Sequence, residues 1–239
     1  MSLLTLVRHG QASFMADNYD QLSTLGQQQA RKLGEHWLLH GVTFDRVFHG
    51  PAQRHIHTGE LVAGQFRAAG VPWPESEVLE GVDEYAGIEV MRAFLPGLME
   101  KHEDIRALER EFRNASEKAV AGRIYDKLFQ RVTRMWVSGE LDSPEIESWQ
   151  RFCHRVEQGV AHLRALAVKD TRIVVFTSGG PIAATARIAL DLTEQKTLEL
   201  SWTSRNASYS EFLFSGERFS LASFNAFPHL VSPDLLTWR

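Results

Sequence analysis

Residues 172–190, RIVVFTSGGPIAATARIAL, decide the fold class of this chain. The first five residues, RIVVF, are mainly β-branched or aromatic, which predicts a buried central strand. A turn of sequence TSGG ends this run, and the apolar stretch 181–190 that follows predicts a helix. A strand that passes through a short turn into a helix is typical of α/β sheets.

The N-terminal segment has the same order of strand, polar turn and helix. Residues 3–7 (LLTLV) form a short apolar run that predicts a buried strand, and a polar turn begins at Arg8. Ser23 is a typical N-cap residue, so we expect a helix that starts there and ends at Gly41.

Two further segments complete the predicted sheet. Residues 44–49 predict a strand, and Pro51 suits the first turn of a following helix. Residues 208–214 and 217–224 flank a Ser-Gly pair and predict a hairpin. Strands that alternate with helices imply an α/β fold, here a three-layer α/β/α sandwich with a mostly parallel central sheet.

The pattern changes between about residues 88 and 140, where charged residues are dense and glycine is scarce. We interpret this part as two or three amphipathic helices that cover the site and select the substrate. A further helix is predicted from about Pro144 to Ala167, with Ser143 as its cap. We find no repeat, low-complexity tract or linker, and we expect one domain over residues 1–239 with this helical insertion.

The composition excludes several classes of protein. The 239 residues include 26 Lys and Arg against 30 Asp and Glu, and this net charge of −4 argues against nucleic-acid and membrane partners. The single Cys153 excludes an internal disulfide. No stretch approaches the roughly 20 apolar residues of a membrane span, and the N-terminal apolar run is too short for a signal peptide. We expect a soluble, cytoplasmic protein, and the sequence leaves a homo-oligomer open.

Polar residues suited to an anion follow three of the predicted strands, where ligands of open α/β sheets bind. Arg8 and His9 follow the first strand, and Arg54 lies in the first turn of the helix after the second. A guanidinium group matches the geometry of phosphate oxygens, and a helix N-terminus adds backbone amides. Gly179 and Gly180 can present further amides to an oxyanion. Together these residues predict an anion site with a nucleophile.

The pair His55 and His57 invites a metal interpretation, which the spacing disfavours. Residues two apart on a helix point to different faces, and no Asp or Glu ligand accompanies the pair. We therefore expect no metal.

Short motifs extend over nearly the whole chain in a fixed order and spacing. They are LVRHG at 6–10, LSTLGQQQA at 22–30, PAQRHIHT at 51–58, LEGVDEY at 79–85, TSGG at 177–180, NAS at 206–208, and Phe224-Asn225 with His229-Leu230. In this order and spacing the chain resembles the histidine phosphatase superfamily, the phosphoglycerate-mutase-like clan, in its phosphatase branch.

The resemblance implies a reaction in two displacements on a small phosphorylated substrate, without a metal or organic cofactor. His9 would form a phosphohistidine that water then hydrolyses. Arg8 and Arg54 would hold the phosphoryl oxygens. Glu84 would protonate the leaving oxygen, with Glu80 as the second candidate for this role.

The chain departs from the family at one position of the motif [ST]-H-G-G, where Ser178 replaces the second histidine. A serine hydroxyl restores a hydrogen bond but no charge, so reduced activity is one expected consequence. We expect the Ser178 hydroxyl and the Gly179 amide to bind a phosphate oxygen. The leading hypothesis is a phosphomonoester hydrolase. The alternatives are a phosphoglycerate-type mutase and a weakly active phosphate-binding or regulatory protein on the same fold.

Overall fold

The computed structural model describes residues 1–13 and 20–238, and this part contains six strands and eight α-helices. The strands are β1 Ser2–Arg8, β2 Arg46–His49, β3 Ser76–Val78, β4 Arg172–Thr177, β5 Tyr209–Ser215 and β6 Arg218–Ala226. The helices are α1 Thr24–Leu39, α2 Gln53–Ala68, α3 Gly87–Lys101, α4 Glu103–Asn114, α5 Lys118–Val137, α6 Trp149–Leu166, α7 Gly179–Leu190 and α8 Glu194–Ser201.

The six strands form one sheet in the order β3-β2-β4-β1-β5-β6. The pairings of β3 with β2, of β2 with β4 and of β4 with β1 are parallel. The hairpin β5-β6 adds two antiparallel pairings, the first of them with β1. The predicted mostly parallel sheet is therefore confirmed, and its antiparallel edge is the predicted hairpin.

Helices cover both faces of this sheet. Alternate side chains of a strand point to opposite faces, and both sets are apolar and buried in the central strands. On one face, Leu6 and Val175 pack with side chains of α6 and α7. On the other, Val7 and Val174 pack with Trp37 of α1 and with side chains of α2. The predicted three-layer α/β/α sandwich is confirmed. It lies within the first of two compact units, Met1–Glu84 with Cys153–Arg239.

The second compact unit is Tyr85–Phe152 and contains α3, α4 and α5. Inside it, Tyr85 lies against the rings of Trp136 and Trp149, with centroids 5.8 and 6.0 Å away. Its three helices occupy the residues for which the sequence predicts amphipathic helices. That this unit covers the site remains a prediction.

Two local predictions, both about the start of α6, were wrong. Helix α6 begins at Trp149, not near Pro144, and its cap is Ser148, whose Oγ accepts from the amide of Arg151 at 3.3 Å. Ser143 instead closes a turn, with its Oγ 3.3 Å from the Glu145 nitrogen. Strand β3 and helix α8 were not predicted from the sequence. In the part of the chain that the structure describes, no helix has the length and apolarity needed to cross a membrane.

Candidate active site

The backbone around His9 is fixed on both sides by neighbouring segments at the carboxyl ends of the strands. The His9 amide donates to the Thr177 carbonyl at 2.8 Å, and the His9 carbonyl accepts from the Ala207 amide at 3.1 Å. The next residue must be glycine, because a Cβ on Gly10 would lie 2.3 Å from the Gly26 carbonyl oxygen. The turn after β1 therefore packs backbone against backbone on the start of α1.

The ring of His9 is buried and oriented by its own turn. Its Nδ1 lies 2.7 Å from the Gly10 carbonyl oxygen, which can only accept a hydrogen bond. We therefore assign the proton to Nδ1, which leaves the lone pair of the neutral ring on Nε2. Burial lowers the pKa of His9 well below its ordinary value, and the positive charges of Arg54 and Arg8 lower it further. The ring is a neutral imidazole with a free basic nitrogen at neutral pH.

Helix α2 is tied to this turn through Thr58. The Thr58 hydroxyl accepts from the Gly10 amide at 3.1 Å and donates to the Arg54 carbonyl at 2.7 Å. This explains the spacing of arginine and threonine in the sequence, since residues four apart share one face of a helix.

Arg54 lies in the first turn of α2 and contacts an acidic side chain. Its Nη1 is 2.7 Å from Asp20 Oδ1, and the amide of Gln53 donates to Asp20 Oδ2 at 2.9 Å. A carboxylate thus lies at the N-terminus of a helix and beside a guanidinium group, where both stabilise negative charge. The start of α2 is therefore already shaped to bind oxyanions.

The turn after β4 brings Ser178 and Gly179 to the same edge of the sheet. Helix α7 begins at Gly179, two residues before the predicted start at Pro181. A Cβ on Gly179 would lie 2.7 Å from the Ser201 carbonyl oxygen and 3.9 Å from Arg8 Nε. The first amides of α7 therefore lie close to Arg8, whose Nη1 donates to the Ser204 carbonyl.

Of the two candidate acids, Glu84 is the one beside this turn. Its Oε2 accepts a hydrogen bond from the Gly180 amide at 3.2 Å, whereas the side chain of Glu80 is exposed. Arg155 of α6 fixes the segment between them, because its Nη1 donates to the carbonyls of Glu80 and Asp83 at 3.2 and 3.1 Å.

His55 lies beside His9 and Ser178 and belongs to this site, although it was not predicted as a site residue from the sequence. It is fully buried, its Nε2 lies 2.6 Å from Ser178 Oγ, and its ring centroid is 5.7 Å from that of His9. Burial and the nearby charge of Arg54 lower the pKa of His55 well below its ordinary value. The available signal was its spacing from Thr58, since residues three apart also share a helix face.

The paired histidines of α2 do not converge on a common ligand. His55 is buried, while His57 is only partly buried and is not among the contacts of this cluster. Within residues 1–13 and 20–238, no group of three or more His, Cys, Asp or Glu side chains is arranged to hold a metal ion.

The fold and the site define a class of protein: an α/β protein in which a buried neutral histidine and two arginines meet at the carboxyl ends of parallel strands. The family model described as "Histidine phosphatase superfamily (branch 1)" matches residues 4–136 and 99–226. The chain belongs to this superfamily, which confirms the resemblance seen in the sequence.

Solved structures of similar fold include phosphatases and a mutase. Phosphoserine phosphatase from Entamoeba histolytica in complex with 3-phosphoglyceric acid has a TM-score of 0.63 and 18% identity, over 97% of this chain and 100% of that chain. Mycobacterial glucosyl-3-phosphoglycerate phosphatase with inorganic phosphate has a TM-score of 0.61 and 20% identity, over 96% and 99%. Phosphoglycerate mutase from Bacillus anthracis has a TM-score of 0.61 and 15% identity, over 95% and 94%. These TM-scores, over nearly the whole of each chain, show a common fold. No curated protein matches the sequence.

Proposed function

We propose that the protein is a phosphomonoester hydrolase that acts through a phosphohistidine on His9. The observation that carries this proposal is the contact between His9 Nδ1 and the Gly10 carbonyl oxygen at 2.7 Å. It holds the ring in the tautomer whose Nε2 can attack phosphorus. The lowered pKa of His9 keeps that nitrogen unprotonated at neutral pH.

The reaction has two displacements. In the first, the Nε2 lone pair forms a bond to phosphorus, the bond between phosphorus and the ester oxygen breaks, and Glu84 gives its proton to the departing alcohol. In the second, water attacks the phosphohistidine and passes a proton to Glu84. The bond between phosphorus and Nε2 breaks, and its electron pair returns to Nε2. The phosphoryl group leaves with the oxygen of the water as inorganic phosphate.

The positive groups of the site act on the charge of the phosphoryl oxygens. Arg8 and Arg54 bind these oxygens with hydrogen bonds from their guanidinium groups, and the amide of Gly179 adds a donor at the start of α7. Removing one such donor typically costs about 2.7–4 kcal/mol of transition-state stabilisation. The substrate is a small phosphorylated molecule, in line with the phosphate esters named for two of the structural neighbours.

The test is a hydrolysis screen over phosphorylated metabolites and phosphopeptides, with His9→Ala beside the wild type. We expect the wild type to release inorganic phosphate and to carry one acid-labile phosphate after quenching. His9→Ala should do neither while keeping its fold. Because the side chain of His162 is exposed on α6, His162→Ala serves as the control and should match the wild type.

Three other outcomes would contradict the proposal in different ways. A fully active His9→Ala protein would exclude the phosphohistidine. A phosphoenzyme that passes its phosphoryl group to a second alcohol, without release of inorganic phosphate, would indicate a mutase. Binding of inorganic phosphate without any phosphoenzyme would indicate a binding or regulatory protein.

A further inference from the structure

The contact between His55 and Ser178 joins two segments that are far apart in the chain. His55 Nε2 and Ser178 Oγ are 2.6 Å apart, and both side chains are buried. Ser178 precedes α7 as its N-cap residue, yet its hydroxyl makes no capping hydrogen bond. A serine at an N-cap usually accepts from an amide of the first turn. Here the hydroxyl is directed to the imidazole on α2 instead.

Two tautomers of His55 fit this contact, and they have opposite consequences for Ser178. If the Ser178 hydroxyl donates to a bare Nε2, its oxygen has only lone pairs left for other groups. If Nε2 carries the proton and donates to Oγ, the hydroxyl proton is available to another acceptor. A phosphoryl oxygen is an acceptor without a proton to give, so only the second arrangement stabilises it.

The place of this pair in the site is fixed by its neighbours. The centroid of the His55 ring lies 5.7 Å from that of His9. Ser178 directly precedes Gly179, and a Cβ on Gly179 would lie 3.9 Å from Arg8 Nε. When His55 Nε2 donates to Ser178 Oγ, the hydroxyl proton of Ser178 is therefore available close to the groups that would hold the phosphoryl oxygens.

We propose that His55 is a positioning residue of this site, whose Nε2 proton is donated to Ser178 Oγ so that the Ser178 hydroxyl is directed at a phosphoryl oxygen. The proposal rests on the hydrolase function proposed above. In the family motif, the residue at the position of Ser178 is a histidine. Here an imidazole on α2 and a hydroxyl after β4 together supply the hydrogen-bond donor that this histidine would provide.

The pair also limits what position 178 can hold. Because Oγ of Ser178 is only 2.6 Å from the His55 ring, a longer side chain that follows the direction of this bond would overlap that ring. Ser178→His alone should therefore not support activity. It should support activity only when the ring of His55 is removed as well.

The test compares variants by kcat/KM on a generic aryl phosphate and by release of inorganic phosphate. Ser178→Ala and His55→Leu should each lower kcat/KM roughly ten- to a hundredfold, as loss of a hydrogen bond to a charged group does. The double variant should be no worse than either single one, because both remove the same donor. His57→Ala, on the same helix, is the matched control and should equal the wild type.

Two further variants separate positioning from mere packing. His55→Gln keeps an amide donor near the place of Nε2 and should stay within about threefold of the wild type, with an unchanged pH profile. Ser178→His combined with His55→Ala should have a kcat/KM at least tenfold higher than that of His55→Ala alone. The free energy of unfolding of each variant is measured in parallel by urea denaturation.

Each result has a defined reading. If wild type is active and His55→Leu keeps full kcat/KM, or if the losses of the two single variants add in the double one, His55 does not act through Ser178. If His55→Gln is as impaired as His55→Leu, the hydrogen bond is not what matters, and the inference fails. A wild type that neither hydrolyses phosphate esters nor binds inorganic phosphate would instead overturn the proposed function.

Discussion

The carboxylate of Glu84 accepts a hydrogen bond from the backbone amide of Gly180 at 3.2 Å, in the first turn of α7. Helix N-termini attract negative charge, and the amides there are the same kind of donor that binds phosphate oxygens. Glu84 therefore lies next to the place where a phosphoryl group would contact α7. This contact distinguishes it from the exposed Glu80, which the sequence motif left as a second candidate.

If Glu84 is the general acid, its loss should matter most when the leaving alcohol is a poor leaving group. Glu84→Gln should lower kcat about 10²- to 10⁴-fold on an alkyl phosphate, the usual contribution of a general acid. The loss should be much smaller on p-nitrophenyl phosphate, whose leaving group departs without a proton. The measurement is kcat for both substrates in the wild type, Glu84→Gln and Glu80→Gln.

Glu80→Gln is the matched control, because it removes a carboxylate four residues away and leaves the Gly180 contact intact. It should resemble the wild type on both substrates. An equal loss on the two substrates in Glu84→Gln would mean that Glu84 binds or positions the substrate but transfers no proton.

Arg155 should influence the reaction without being part of it. Its guanidinium donates to the carbonyls of Glu80, Gly81 and Asp83 at 3.1–3.3 Å and so fixes the segment that ends at Glu84. Arg155→Ala frees this segment, and we expect kcat on an alkyl phosphate to fall at least tenfold with little change in KM. A misplacement of about 1 Å in a catalytic group can cost a factor of about 100.

The matched control for this prediction is Arg164→Ala on the same helix. Arg164 also donates to a carbonyl, that of Gly216 at 2.7 Å, but in the turn between β5 and β6. Its loss should leave kcat unchanged. Equal effects of the two substitutions would point to a general loss of stability in α6 and contradict a specific role of Arg155.

The elements with a strong local signal in the sequence are the ones that could be predicted from it. The strands β1 and β4 and the helices α1 and α2 follow from apolar runs and cap residues, such as Ser23, whose hydroxyl accepts from the Gly26 amide at 3.0 Å. Strand β3 was missed because its three residues are all exposed, so no burial pattern marks it. Helix α8 has only eight residues, which is short for a periodic signal.

For the site, the motifs locate single residues, but not the contacts between them. His9, Arg54 and Glu84 each stand in a recognisable motif, and the structure brings all three to one edge of the sheet. The pairing of His55 with Ser178 spans 123 residues of sequence and depends on the tertiary fold. No propensity or spacing rule connects residues so distant. From the sequence alone, His55 had only a metal interpretation, which its spacing from His57 disfavoured.

The backbone packing around the nucleophile predicts a strong effect of a single methyl group. A Cβ on Gly26 would lie 2.1 Å from the Gln11 carbonyl oxygen, so Gly26→Ala must displace the turn that carries His9. We expect it to lower the free energy of unfolding by about 1–3 kcal/mol or more and to reduce kcat/KM as well.

Gly122→Ala is the control for this effect, because it lies in α5 and a Cβ there meets nothing within 4 Å. It should raise the free energy of unfolding by about 0.5–1 kcal/mol, since alanine is the better helix former. Urea denaturation of both variants measures the difference. A Gly26→Ala protein as stable and as active as the wild type would contradict the close packing described for this turn.

The stability of the protein should fall in acid, and His229 should account for a measurable share of the loss. Burial lowers the pKa of His229 to about 3, with a further contribution from His36, while the ordinary value is near 6.5. Between these values the unfolded chain binds a proton that the folded protein excludes. Stability is therefore complete above about pH 6.5 and decreases by up to about 1.4 kcal/mol for each unit of pH below it. His9 and His55, whose pKa values are also lowered by burial, contribute with the same sign.

The measurement is the free energy of unfolding in urea at pH 7 and at pH 5, for the wild type, His229→Leu and the exposed control His162→Leu. His229→Leu removes one group that must stay unprotonated in the fold, so its loss between the two pH values should be about 2 kcal/mol smaller than that of the wild type. His162→Leu should lose as much as the wild type, because its side chain is exposed. If His229→Leu and the wild type lose the same amount, His229 is protonated in the folded protein at pH 5, and another group causes the acid sensitivity.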